Sequence, residues 1–67
     1  MKLIVYVTEI RKAKGLTQAD LANLANVSRK TINTIENNVF VPSTILALTL
    51  AKVVDVSVHD LFELPDE

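Results

Sequence analysis

The chain has 67 residues, one histidine, no cysteine and a formal net charge of −1, so its length suits one domain over 1–67, and disulfides and thiolate metal sites are excluded. Its longest apolar run, Leu3–Val7, is too short for a bilayer span or a signal peptide, which predicts a cytoplasmic protein without a membrane segment. Because the chain also lacks a glycine-rich phosphate loop, we expect neither an enzyme nor a bound cofactor.

The N-terminal residues 3–7 are β-branched, aromatic or leucine, and this pattern predicts a short strand. A lone strand needs a partner, and two are available: the segment Phe62–Leu64 of the same chain, or the same strand of a second copy. The first helix is expected from Thr8 to Lys14, with Thr8 as its N-cap and Gly15 ending it.

A second helix is predicted to begin after Thr17, an N-cap residue that Asp20 supports from the third helical position. Its inward face is apolar and small, and consists of Leu21, Ala22 and Ala25. The two alanines allow another helix to cross closely. Asn26 tolerates the left-handed backbone that a tight corner demands, so a turn is expected directly after this helix.

The third helix, Arg29–Asn37, is predicted from the N-cap Ser28 and a buried stripe of Ile32 and Ile35, which lie about 60° apart at helical period. The other side carries only hydrogen-bond donors: Lys30, Asn33, Thr34 and Asn37, flanked by Arg29 and Thr31. The helix's only acid, Glu36, falls away from these donors. Such a helix can pack on a core and lie in the major groove of DNA.

Two further helices complete the predicted all-α fold. Pro42 precedes an N-cap, Ser43, for a fourth helix from about Thr44 to Val54. Ser57 caps a short fifth helix with Asp60 at its third position, and Leu61 and Phe62 are its expected core residues. His59 follows that cap and is expected to be exposed.

The charge is unevenly distributed along the chain. Residues 1–36 hold six basic and three acidic residues, a balance of +3, whereas residues 37–67 hold one basic and five acidic residues, a balance of −4. The basic half contains the donor-rich helix, so the molecule is expected to be electrically polar, with its acidic part turned away from nucleic acid.

Large aliphatic residues are more numerous than one small core requires, since 23 of the 67 residues are Ile, Leu or Val. The fourth helix is apolar almost all round, and such a surplus is typical of an interface. We expect a two-fold homodimer whose interface contains Ile45, Leu48, Val53, Val54, Phe62 and Leu64.

Four blocks of the sequence resemble the helix-turn-helix of Cro- and phage-repressor-like regulators, the Xre family. They are GLTQADLA (Gly15–Ala22), VSRKTINTIEN (Val27–Asn37), PS (Pro42–Ser43) and VSVHDLF (Val56–Phe62), and the likeness extends over about residues 7–64. It implies a compact five-helix domain in which the second helix of the motif enters the major groove.

The resemblance also implies roles for individual residues. By position, the base readers are Arg29, Lys30, Asn33 and Thr34, and the phosphate or positioning contacts are Gln18, Ser28, Thr31 and Asn37. The chain departs from the family in having Asn38 where glycine is common, Val39 where a basic or polar residue is common, and an apolar N-terminus.

These features favour a sequence-specific regulator of transcription, a dimeric repressor that reads a short palindromic operator on double-stranded DNA. A DNA-binding antitoxin that also masks a toxin is a close variant. The alternative is a protein-interaction module that keeps the fold but uses its apolar surface to bind a partner protein.

Overall fold

The computed structural model describes residues 2–66 as five helices and one strand pair, in the order β1 (Ile4–Val5), α1 (Val7–Ala13), α2 (Gln18–Ala25), α3 (Arg29–Glu36), α4 (Thr44–Val53), α5 (Val58–Leu61) and β2 (Phe62–Glu63). The predicted five-helix architecture is confirmed. Within residues 2–66, no helix combines the length and apolar character needed to cross a membrane.

The predicted N-caps of α2 to α5 are confirmed. The side-chain oxygens of Thr17, Ser28, Ser43 and Ser57 each accept a hydrogen bond from a backbone N–H in the first turn. In α2 and α5 the carboxylate of the third helical residue, Asp20 or Asp60, accepts a hydrogen bond from the N-cap N–H, which completes a capping box. Each helix start is thus fixed by residues within one turn.

The start of α1 differs from the prediction that Thr8 is its N-cap. The N-cap is Tyr6, whose side chain makes no hydrogen bond to the helix start, and the helix begins at Val7. The Tyr6 N–H donates to the Leu61 carbonyl oxygen at 2.8 Å, so the preceding strand carries the chain directly into the helix. This earlier start places Val7 in the core, where it is 1% exposed.

Each of the four longer helices is followed by a residue with left-handed backbone conformation: Gly15 after α1, Asn26 after α2, Asn38 after α3 and Asp55 after α4. In α3, the Val39 N–H donates to the Thr34 carbonyl oxygen at 2.9 Å and the Asn38 N–H to that of Ile35 at 3.0 Å. These two bonds are those of a Schellman motif, which closes the helix and reverses the chain.

The core lies between the helices and is built from the predicted apolar faces. Its most completely buried side chains are Val7, Leu21, Ile32, Ile35, Leu50 and Leu61. Small residues of α2 let α3 and α4 pack against it, since Ala22 and Ala25 are almost inaccessible. α3 is thereby held by one face, and its opposite face is free to contact a ligand.

The N-terminal strand pairs within its own chain. β1 runs antiparallel to β2, with Ile4 opposite Glu63 and Val5 opposite Phe62. The Tyr6 hydroxyl donates to a Glu63 carboxylate oxygen at 2.6 Å. Of the two predicted partners, the C-terminal segment of the same chain is therefore the observed one.

Candidate nucleic-acid interface

α2 and α3 form the helix-turn-helix that the sequence predicts. The corner is made by Asn26, whose φ of 59° and ψ of 44° are left-handed, and by Val27, which packs against the core. Ser28 then starts α3, and its hydroxyl oxygen accepts from the Thr31 N–H at 3.1 Å. The orientation of α3 is fixed both by this tight corner and by the burial of Ile32 and Ile35.

Three of the four predicted base readers are brought together on the surface. Arg29, Lys30 and Asn33 are exposed and line one shallow depression along α3. All three side chains can donate hydrogen bonds, and among residues 2–66 no acidic side chain lines this depression. These donors lie in a row along one face of α3. Such a row suits the major-groove edge of guanine, which has two acceptors, and that of adenine, which has one acceptor and one donor.

Asn37 contacts Asn33 directly, one turn away on the same face. Its amide nitrogen donates to the Asn33 carbonyl oxygen at 3.0 Å and to the Asn33 side-chain oxygen at 3.2 Å. The second bond fixes which end of the Asn33 amide is the acceptor. Asn37, predicted as a phosphate or positioning contact, therefore also orients a predicted base reader.

The hydroxyl groups of α3 are partly engaged within the helix. The Ser28 and Thr31 hydroxyl oxygens are in hydrogen-bond contact at 2.9 Å, and the Thr34 hydroxyl donates to the Thr31 carbonyl oxygen at 2.9 Å. Ser28 is exposed, whereas Thr31 and Thr34 are half-buried. Thr34 thus lies at the edge of the donor row rather than at its centre.

Glu36, at the end of α3, has a role that the sequence pattern did not predict. Its carboxylate accepts two bonds from Arg11 of α1, at 2.7 Å from Nε and 3.2 Å from Nη2. Gln18 of α2 donates its amide nitrogen to the same carboxylate at 3.0 Å. One carboxylate therefore joins three helices, and a predicted phosphate contact, Gln18, is held by it.

The charge of Glu36 is neutralised on the side of α3 away from the donors. Burial alone raises the pKa of its carboxyl group, but the hydrogen bonds from Arg11 and Gln18 and the positive charge of Arg11 outweigh burial, so the pKa lies below its ordinary value. The group stays ionised and paired. Its negative charge is therefore balanced locally by the positive charge of Arg11.

The predicted dimer-interface residues fall into three groups by exposure. Ile45, Leu48 and Leu64 are 79%, 53% and 69% exposed, so they are available to a partner. Val53 is half-buried against the core. Val54 and Phe62 were expected in the interface, but both are core residues at 5% and 9% exposure. For Phe62 this confirms the other expectation, that it is a core residue beside the fifth helix. Val54 ends α4 over the core, and Phe62 lies in the strand that closes it.

Comparisons with known proteins agree with this geometry. A family model described as helix-turn-helix matches residues 7–61. The HTH-type transcriptional regulator YgzD of Bacillus subtilis is 36% identical over 61 residues, which cover 91% of this chain and 92% of that protein.

Two solved structures share the fold. The restriction-modification controller protein C.AhdI from Aeromonas hydrophila is similar with a TM-score of 0.79 and 34% identity, over 84% of this chain and 85% of that one. The N-terminal DNA-binding domain of the master biofilm regulator SinR from Bacillus subtilis gives 0.74 and 34%, over 91% and 90%. The chain therefore belongs to the Cro- and phage-repressor-like (Xre) family of helix-turn-helix transcriptional regulators, and α2 and α3 are its DNA-binding motif.

Proposed function

We propose that the protein is a sequence-specific repressor that binds a short palindromic operator as a homodimer, with α3 in the major groove. The observation that carries this proposal is the exposed donor row of Arg29, Lys30 and Asn33, from which the one acid of α3 is turned away. Binding alone accounts for repression, because an occupied operator excludes the polymerase. No catalytic step is part of the proposal.

The contacts divide into those that read bases and those that fix the register on DNA. Arg29 and Lys30 suit guanine and Asn33 suits adenine, with Thr34 at the edge of the row. The positioning contacts to phosphates come from Gln18, Ser28, Thr31 and Asn37, together with the backbone N–H groups at the starts of α2 and α3.

Dimerisation supplies the affinity that one small domain lacks. The chain has seven basic residues, so a monomer is expected to bind weakly at physiological salt. Ile45, Leu48 and Leu64 form an exposed apolar set that can bury against the same set of a second copy. A two-fold dimer then presents two α3 helices about 34 Å apart, the spacing of successive major grooves.

Selection of bound duplexes from a random DNA library at near-physiological salt tests this function. We expect a palindrome with half-sites about one helical turn apart. The variant Arg29→Ala/Lys30→Ala/Asn33→Ala should lose the consensus. The control variant Lys12→Ala/Lys14→Ala also removes two positive charges, but outside the donor row. It should keep the consensus and at most lower the affinity for all DNA sequences equally. A triple variant that still selects the consensus would show that the base readers are misassigned.

A second function, a module or antitoxin that binds a partner protein, is favoured by the same exposed apolar residues of α4 and the C-terminal segment. The triple variant separates the two functions, because partner capture does not need the donor row. Recovery of no consensus by the wild-type protein, with a stable complex formed through Leu48, would favour the second function.

A further inference from the structure

The segment Val39–Val41, which follows α3, is apolar and exposed. Val39, Phe40 and Val41 are 77%, 45% and 65% accessible. The core is complete without them, so the fold gives no reason for three consecutive apolar side chains in water. Their position next to the DNA-binding motif suggests that they serve binding instead.

The backbone turns this segment back toward α3. Asn38 adopts a left-handed conformation with φ of 59°. The N–H groups of Val39 and Phe40 then both donate to the Thr34 carbonyl oxygen, at 2.9 Å and 3.2 Å. The start of the segment is therefore tied to the last turns of α3 and lies beside Thr34.

An open cleft connects the segment with the DNA-facing residues. The cleft is lined by polar residues, Ser28, Lys30, Thr31 and Thr34, and by apolar residues, Val39, Phe40 and Leu46. None of these seven residues is acidic, so nothing in the wall repels DNA. The apolar wall is thus continuous with the interface of the helix-turn-helix motif.

The chemistry of this wall differs from that of the donor row. The Thr34 hydroxyl is committed to the Thr31 carbonyl oxygen at 2.9 Å, which leaves the Thr34 methyl group for a ligand. Val39 and Phe40 line the same cleft as Thr34, and their backbone N–H groups both donate to its carbonyl oxygen. Thymine alone shows a methyl group in the major groove, and Phe and the Thr methyl are suitable contacts for it.

We propose that Phe40, Val39 and the Thr34 methyl group receive the C5-methyl group of a thymine in each operator half-site, so that the loop after α3 contributes to sequence selection. This contact rests on the proposed function, because it requires the operator.

A thymine-to-uracil scan of the selected operator tests the contact, since uracil lacks only the methyl group. For the wild-type protein, Kd should rise about threefold to fivefold at one position of each half-site, the size expected for exposing one buried methyl group. Phe40→Ser should bind the thymine and uracil duplexes equally. Phe40→Leu, which keeps an apolar side chain, should retain part of the preference.

One control and one fallback keep the result interpretable. Leu24→Ser removes a similarly exposed apolar residue, 52% accessible on α2, and should keep the full methyl preference. If Phe40→Ser fails to fold, Val39→Ser and Phe40→Leu carry the test, because both should reduce the preference.

Three results would overturn the contact. A wild-type protein that binds its operator but treats every uracil duplex as it treats thymine refutes the contact and leaves the proposed function intact. A changed molecular mass of Phe40→Ser in light scattering would assign the segment to contact with a second copy. Recovery of no consensus operator would overturn the proposed function and the contact together.

Discussion

The guanidinium of Arg11 and the carboxylate of Glu36 join the first helix to the end of α3, with Nε and Oε2 2.7 Å apart. Both side chains are nearly inaccessible, at 11% and 5% exposure. Arg11 also donates from Nη1 to the Leu16 carbonyl oxygen at 2.9 Å, so the pair holds the segment between α1 and α2 as well. The position of α3 is thus fixed by a polar contact in addition to its apolar stripe.

Removing the charge of Glu36 should destabilise the protein. In Glu36→Gln the Arg11 charge stays in the same enclosed place without its counter-ion, so we expect a loss of about 3 kcal/mol in the free energy of unfolding. Urea unfolding measures it. Glu9→Gln, at an exposed glutamate, is the matched control and should change stability by less than about 0.5 kcal/mol. A loss of similar size in both variants would contradict this assignment.

The same pair predicts a pH dependence of stability. Because folding lowers the pKa of Glu36, its ionised form stabilises the folded protein above its ordinary pKa, and this contribution is lost as the pH falls below about 4.5. The stability advantage of wild type over Glu36→Gln should therefore shrink between about pH 5 and pH 3. Unfolding curves across that range measure it, and a constant difference would be inconsistent with the lowered pKa.

Asn33 and Asn37 should respond differently to substitution although they touch each other. Asn33→Ala should cost about 1–3 kcal/mol on the selected operator and relax the preference at one position. Asn37→Ala removes the 3.2 Å bond that orients the Asn33 amide, so it should weaken binding and relax the same position more mildly. Kd values on all four bases at each position separate these effects. A uniform loss with Asn33→Ala would contradict its role as a base reader.

The left-handed residues after α3 and α4 offer a paired stability test. Glycine relieves the backbone cost at φ of 59°, and Asp55→Gly also removes a negative charge from a helix C-terminus, so we expect a gain of about 1 kcal/mol. Asn38→Gly should gain less, because the Asn38 amide nitrogen donates to the Leu3 carbonyl oxygen at 2.7 Å and that bond is lost. Thermal unfolding of both variants measures the two gains in stability. A larger gain for Asn38→Gly than for Asp55→Gly would argue against the importance of the bond from Asn38 to Leu3.

Charged substitutions on α4 test the proposed dimer. Ile45→Lys/Leu48→Lys places two charges on side chains that are exposed in the monomer, so the free energy of unfolding of the monomer should change little. The molecular mass in light scattering should fall from that of two chains to that of one. Leu24→Lys on α2 is the control and should stay dimeric. A wild-type protein that is monomeric at all working concentrations would remove the basis for the dimer.

The local part of the fold was predictable because its signals are local. The N-caps Thr17, Ser28, Ser43 and Ser57 each act on a backbone N–H within three residues, and a short sequence window contains the whole interaction. The buried stripe of α3 was predictable for a similar reason, since helical period alone places Ile32 and Ile35 on one face.

Long-range contacts could not be predicted from such local patterns. Glu36 is close to its own buried stripe, but its partner Arg11 is 25 residues away, and no local pattern pairs them. The start of α1 at Val7 depends on the Leu61 carbonyl oxygen, which only the folded chain brings to Tyr6. In α4 the apolar residues surround the helix, so the sequence did not reveal that Val54 faces the core while Ile45 faces water.

The pairing of β1 with β2 has a topological consequence. It brings Ile4 beside Glu63, so the chain enters and leaves this bundle at the same place. A short flexible linker from the C-terminal to the N-terminal segment would therefore need to span little distance, and a circular permutant opened elsewhere should reach the same arrangement of helices. Domains fused at both ends would likewise emerge side by side.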